Sequence, residues 1–511
     1  MAGDTGVPAG PGTLRPGPAL WALVFAGPAL RTSLLGALLV AEEALGQAFG
    51  LSAEALAILV ESVIFGSLLA IFLLPPLIGL LGVRRLSLVS TIATAAVMGA
   101  VILAAQMLPA GALPGGALTT GGLFLVATLL GFLVAVLSPI TQTLLNRATQ
   151  DHVNTRHELQ SVWSAGQPAG FIVASVIGGV LIEVAGWWTA MIVPLAFAVV
   201  AALSLLGTPA SRTSDTTDRG IRPGIGEILT VVVALGAYKV WATWGTLQSW
   251  FEPGVLAALA ATLVVSTLAV RQLRRSPNPA VSIAPFSAAG FLAAALILLV
   301  YQFPTTAEFE VLLLTELGHM SAVAIGDRTA LGNIGQLVGT ALAAVLLYRR
   351  EAGIAFVGGF VLTIVGLAGY VLYPWWNGFA FATATRVIAG VGGGLLTPVL
   401  FVVALNRMPP AMQIAAGTWL VLATIGGTEI GLALFDVVLE VATAATDSKV
   451  WGYVVVEAAQ LAVGVATAAL TAWFVHDGRM PLAVGGAPAS PAAAPAMAQM
   501  PGQAPAQVPR K

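Results

Sequence analysis

Between residues 20 and 475 the chain holds about fourteen stretches of roughly 20 mostly apolar residues, the length a helix needs to cross the hydrocarbon core of a bilayer. Few folds accept such a pattern. Inside lipid every backbone donor and acceptor has to be satisfied without water, so the chain reads as an all-α, multi-pass membrane protein. Composition agrees: 58% of the 511 residues are hydrophobic and 9% are charged, where a soluble domain carries about a quarter charged. The spans fall near 20–46, 55–82, 86–108, 118–145, 158–182, 187–207, 226–247, 254–271, 284–304, 328–348, 354–373, 379–405, 414–437 and 451–475. Residues 305–327 extend the ninth helix or form an external loop.

The arginines between the spans alternate. Arg84, Arg85, Arg147, Arg156, Arg212, Arg219, Arg222, Arg271, Arg274, Arg275, Arg349, Arg350, Arg407 and Arg479 fall on one side, and only Arg328 and Lys449 on the other. Cytoplasmic loops carry the excess of Lys and Arg, so both termini are expected in the cytoplasm. The Ala/Gly/Arg-rich, Lys-poor usage points to a bacterial plasma membrane. Residues 1–19 lack a basic n-region and a cleavage site, and read as a disordered Gly/Pro leader before a retained first span. Residues 479–511 read as a disordered Pro/Ala-rich tail.

An internal repeat organises the spans. "ATLLGFLVAVLSPITQTLLNR", from Ala127, aligns with "RVIAGVGGGLLTPVLFVVALNR", from Arg386, matching Gly131 to Gly390 and Pro139 to Pro398. "GVRRLSL" after the second span likewise echoes "LYRREAG" after the tenth. A shift of eight spans gives two six-helix halves, 20–207 and 284–478, with a linker and two inserted helices at 208–283 between them. Repeat-built helical bundles of this kind are the architecture of secondary transporters.

At this point the sequence resembles the major facilitator superfamily, in its fourteen-helix drug:proton antiporter branch. "PPLIGLLGVRRLSL" is similar to the loop between the second and third helices, with Gly82, Arg84 and Arg85 matching as a conformational gate; the acidic residue of that motif falls on Gly79 and its basic neighbour on Leu80. "GQPAGFIVASVIGG" resembles the antiporter signature, keeping Gly170, Gly178 and Gly179 but showing Ala174 and Ser175 where Gly-Pro is usual. The membrane arginine of the fourth helix is Ala127, while its repeat partner Arg386 supplies that pattern in the second half. "RQLRRSPNPAVSIAPF" looks like the basic linker into the ninth helix.

Ionisable groups inside spans are costly and mark function by default. Arg31 and Glu42 are eleven residues apart, which puts them about 20° apart in direction and roughly 16 Å apart along one helix. Glu42 is therefore the preferred cavity-lining acid and Glu43, about 100° away, its interface neighbour; solvated acids at the outer mouth are the plain alternative. Glu61, well inside the second span, is a proton or cation site or a buried structural hydrogen bond. Arg386, by resemblance a proton-relay arginine, is otherwise a side chain reaching for the headgroups. Glu429 is deep enough to need a partner; Asp436 and Glu440, on the same stripe, read as outer-mouth residues. Lys239 in "AYKVWATWGTLQSW" reads as an interfacial anchor among aromatic residues. Gly170, Gly178, Gly179 and Gly390 are read as helix-packing glycines.

Desolvation favours the neutral form of a buried acid and a nearby arginine the charged form, which is what a proton-coupled carrier requires. The reading is a proton-coupled exporter of a small amphipathic or cationic organic compound, working by alternating access as a monomer in the lipid bilayer. A uniporter or lipid-like substrate carrier of the same fold, or a non-transporting sensor or scaffold, is the alternative. The four scattered histidines and the absence of cysteine give no metal centre, and neither a cofactor motif nor a nucleophile–base pairing suggests an enzyme. A net charge of -1 gives no reason to expect nucleic acid.

Overall fold

Each apolar stretch becomes a helix because a helix closes its own hydrogen bonds. The computed structural model describes residues 17–107, 117–149, 153–208, 224–276, 279, 281–288, 290–305, 322–376, 378–405, 408–409 and 412–480. Most of the predicted leader and tail, and residues 306–321 of the undecided ninth-to-tenth connection, lie outside them. Among the described residues there are fourteen α-helices: α1 (Pro18–Phe49), α2 (Ala53–Leu81), α3 (Val83–Met107), α4 (Ala117–Ala148), α5 (Val153–Ala185), α6 (Ile192–Gly207), α7 (Ile225–Leu247), α8 (Pro253–Arg275), α9 (Phe291–Tyr301), α10 (Ala322–Tyr348), α11 (Ala352–Leu372), α12 (Phe379–Leu405), α13 (Gln413–Thr446) and α14 (Lys449–His476). Thirteen are long and apolar enough to cross a membrane. The exception is α9: its α-helix has 11 residues and is flanked by the short 3₁₀ turns Ala284–Ser287 and Phe303–Thr305. α10 starts at Ala322, ahead of the predicted 328.

The repeat is visible in the packing. α2 lies along α4 as α10 lies along α12, α3 along α6 as α11 along α14, and α1 along α5 as α9 along α13. In lipid, helices gain little from burying apolar surface against one another, so close backbone approach carries much of the association. Glycine supplies it. A Cβ on Gly131 would collide with the Val63 carbonyl of α2, and one on Gly390 with the Gly332 carbonyl of α10, so the matched glycines hold the matched crossings. The matched prolines Pro139 and Pro398 sit inside α4 and α12. At the first of these the Pro139 carbonyl accepts a hydrogen bond from the Thr143 hydroxyl at 3.0 Å.

α1–α6 meets α9–α14 along two seams, α5 with α10 and α2 with α13. α7 and α8 form an antiparallel pair whose first helix packs on α2 and also touches α13, so the inserted pair covers the second seam.

A buried charge cluster at the seam between the two helical sets

Lys239 of α7 is 7% exposed. Its ammonium donates to two carboxylates at once, Glu61 of α2 and Glu429 of α13. Arg31 of α1 acts electrostatically on Glu429, and its Nε is buried without a hydrogen-bond partner. Two acids and two bases thus form a neutral set drawn from α1, α2, α7 and α13. Uncompensated, each ion would cost several kcal/mol to take out of water. The acids are unequal: the Glu61 side chain is 32% exposed and that of Glu429 6%.

The interfacial anchor expected at Lys239 is not what the structure forms. Trp244 does face outward, at 42% exposed, but Lys239 points into the seam. The rings of Tyr238, Trp241 and Trp250 pack in succession, with centroids 5.9 and 5.2 Å apart. The outer end of the inserted pair is fastened to the same helix. The Trp250 indole donates to Asp436 Oδ2 at 3.0 Å, its backbone N–H donates to Glu440 Oε2 at 2.9 Å, and the Ser249 hydroxyl donates to Glu440. Asp436 and Glu440 therefore hold the α7–α8 turn; they are not free residues of an outer mouth.

The opening pair of acids stands apart from this cluster. Glu42 is partly buried and lines none of the cavities described here. Glu43 is exposed and accepts a hydrogen bond from Gln47 at 3.3 Å. Sharing a face with Arg31 did not bring Glu42 to the cluster, because eleven residues of helix set the two about 16 Å apart along the axis.

A second constellation lies within α9–α14. A polar cavity of about 210 Å³ is lined by Arg386, Glu457, Gln460, Gln336, Tyr301 and Thr363 among others. Arg386 faces this cavity, and Gly332 makes room for it: a Cβ there would collide with the Arg386 side chain. Glu457, 1% exposed, was missed in the sequence although the rule that flagged Glu61 applies equally to an acid in "VVVEAAQ".

Gly170 of α5 crosses α1 against the Ala29 backbone, whereas Gly178 has only an ordinary contact, 3.6 Å from Val40, and Gly179 faces open space. Those two glycines are not needed for close helix approach, a correction to the reading of the motif. Gly82 takes φ 76°, a left-handed value that favours glycine, in the α2–α3 turn, and Arg350 takes φ 61° in the equivalent α10–α11 turn. Arg84 is partly buried and Arg85 exposed beside it.

The centre is closed. Trp163 of α5 and Phe401 of α12 meet with ring centroids 4.9 Å apart, and the space left beside Arg31, Trp163 and Thr424 is about 10 Å³.

Comparison with known proteins follows the fold. Residues 21–428 match the family model described as Major Facilitator Superfamily. The methylenomycin A resistance protein of Bacillus subtilis (strain 168) is 26% identical over 287 residues, covering 54% of this chain and 60% of that relative's length. The solved proton:xylose symporter XylE, bound to 6-bromo-6-deoxy-D-glucose, aligns over 91% of this chain and 98% of its own with TM-score 0.62 and 12% identity. The human organic anion transporter MFSD10 aligns over 90% and 100% with TM-score 0.60 and 14% identity. At these identities the likeness is one of fold.

Proposed function

Because the chain belongs to the major facilitator superfamily, we propose that it is a proton-coupled secondary transporter that exports a small amphipathic or cationic organic compound by alternating access. The observation that carries this reading is the convergence of Glu61 and Glu429, from the two helical sets, on one buried lysine. A charge network that crosses the seam is sensitive to protonation in a way that an apolar seam is not. A proton on either carboxylate removes one of Lys239's two counter-charges, and at the low dielectric of the interior that loss weighs far more than it would in water. The seam then loosens and the sets can rock; loss of the proton restores the tie. Arg31 keeps Glu429 from being left beside Lys239 alone. The resistance function in the name of the Bacillus relative supports export as the direction. By the asymmetry of arginines the α2–α3 and α10–α11 turns face the cytoplasm, where Gly82, Arg84 and Arg85 act as a gate.

The test is reconstitution in liposomes with an imposed pH gradient and a panel of organic cations and neutral amphiphiles. Gradient-dependent movement of at least one compound is expected, lost in Glu61→Gln and Glu429→Gln. If no compound moves, and both variants support cells as well as the parent does, the coupled-transport reading is wrong.

A further inference from the structure

An apolar crevice of about 440 Å³ runs between the inserted pair and the helices α2, α9 and α13. Among the described residues α8 packs along α7 alone, so the crevice lies where α8 would otherwise meet the bundle. Its walls include Leu68, Phe72, Leu235, Leu273, Trp419 and Ile430, and no charged side chain lines it. Val270 of α8 and Leu296 of α9 line it at 50% and 39% exposed, so it opens sideways, between those helices, onto the surface that faces lipid. Trp419 closes one end: its indole donates to the Ser282 carbonyl at 2.9 Å, and its ring packs edge-on against Phe72 and Phe286. Ile430 lies at the other end, eleven positions further along α13. That spacing makes the crevice about 16 Å long, close to half of the roughly 30 Å hydrocarbon core of a bilayer. Leu273 packs with Phe72, so the C-terminus of α8 stands at the Trp419 end. Ser266 and Val270 line the crevice four residues apart, and the next residue of that stripe is Arg274, in the last turn of α8. Arg274 is exposed, lies outside the crevice and has no acidic partner among the described residues.

We propose that this crevice holds one acyl chain of an anionic phospholipid of the cytoplasmic leaflet, with the lipid phosphate at Arg274 and the methyl end of the chain beside Ile430. The occupant is a resident lipid and not a cargo, so the inference goes beyond the transporter reading and does not depend on it. The walls select hydrocarbon. A site for a drug-sized ligand carries a few placed polar groups that orient it; here Ser266 and Tyr238 are the polar side chains besides Trp419, whose indole is already engaged. Water finds no set of partners along such walls, and empty space would forfeit the dispersion contacts of the residues around it. The sideways opening lets a chain slide in from the bilayer while its headgroup stays at the surface. Length then fits a chain of one leaflet, which reaches from the interface to the midplane. Arg274 sets the headgroup. The asymmetry of arginines puts the C-terminus of α8 at the cytoplasmic face, where anionic lipids are drawn to basic side chains near the surface. A chain seated there supplies the packing that α8 lacks, and presses the inserted pair toward the seam at which Lys239 reaches Glu61 and Glu429.

The probe is phosphatidylglycerol with a diazirine at the end of one acyl chain, and phosphatidylcholine bearing the same group is the reference. The full chain is placed in nanodiscs of phosphatidylcholine, and after photolysis the cross-linked peptides are mapped by mass spectrometry. Phosphatidylglycerol is expected to label the segments around Tyr238 and Ile430 above the rest of the lipid-facing surface. Gly426→Leu fills the crevice and abolishes that labelling; Gly426 lines the crevice and a Cβ there meets nothing within 4 Å, so this variant folds without strain. Arg274→Ala, at an exposed position, lowers it about fivefold, the effect of one basic side chain near an anionic surface. Labelling of these segments no stronger than elsewhere, or unchanged in Gly426→Leu, overturns the proposal. Equal labelling by the two phospholipids overturns it too, since Arg274 would then select nothing. Labelling by a diazirine-bearing aromatic amphiphile, with none from either phospholipid, assigns the crevice to a small molecule and also overturns it.

Discussion

Lys239 and Glu429 are 190 positions apart in the chain and form an ion pair inside the helical bundle. The pair joins a helix outside both repeats to a helix of the second repeat, and Glu61 extends the joint to the first. The inserted helices are thus tied into the seam between the two sets.

The two acids should differ in what their loss costs. Breaking one side of a buried ion pair costs about 3–5 kcal/mol, and Glu429 is the buried partner. Glu429→Gln is expected to lower the thermal unfolding midpoint clearly more than Glu61→Gln, whose side chain is 32% exposed. A double-mutant cycle with Lys239→Met should give a coupling energy larger for Glu429 than for Glu61. Equal couplings would remove the asymmetry.

The fastening at the outer end of the inserted pair is separately testable. Trp250→Phe keeps the ring but removes the indole donor to Asp436, and a hydrogen bond to a charged group contributes about 1.5–3 kcal/mol. Faster protease cleavage at the α7–α8 turn is expected, with Asp436→Asn producing a smaller change in the same direction.

The polar cavity should serve coupling ahead of substrate binding. In Glu457→Gln and Arg386→Ala, substrate counterflow without a gradient is expected to persist while accumulation driven by a pH gradient is lost. Gly332→Leu should mimic Arg386→Ala, since its side chain takes the space the arginine occupies. Loss of counterflow in Glu457→Gln would place that acid in substrate binding.

Glycines inside one motif should respond differently. Gly170→Val drives a side chain into the Ala29 backbone and should abolish folded protein, as should Gly390→Val against Gly332. Gly179→Ala, which meets open space, should stay within about 0.5 kcal/mol of the parent. Fluorescence-detected size exclusion of each variant separates the outcomes.

The helices were legible because a span announces itself by length and apolarity, and the repeat because Gly131 and Gly390, with Pro139 and Pro398, recur in the same frame. The broken ninth span was not: "AAGFLAAALILLVYQFP" is as apolar as its neighbours, although Gly290, at φ 86°, and Pro304, in the second 3₁₀ turn, mark its two ends. Helix periodicity placed Arg31 and Glu42 on one face but is silent about which helices that face meets. Lys239 shows the limit most plainly. Its aromatic neighbours are a true local signal, yet its partners lie 178 and 190 positions away, and only tertiary packing says that the three charges share one place. Glu457 is different in kind, since the cost of a buried acid was argument enough to single it out.

Among the described residues, every glycine at which an added Cβ would come within 3.0 Å of another helix has that neighbour inside its own repeat or inside the inserted pair; across the halves Gly417 stands a relaxed 3.7 Å from Gln142. Stiffness is therefore distributed unevenly. Each half resists change at the scale of a single methyl group, whereas no described glycine at the seams between the halves is packed that closely. Away from the Lys239 cluster, the seams can therefore take added side-chain volume that the interior of either half cannot.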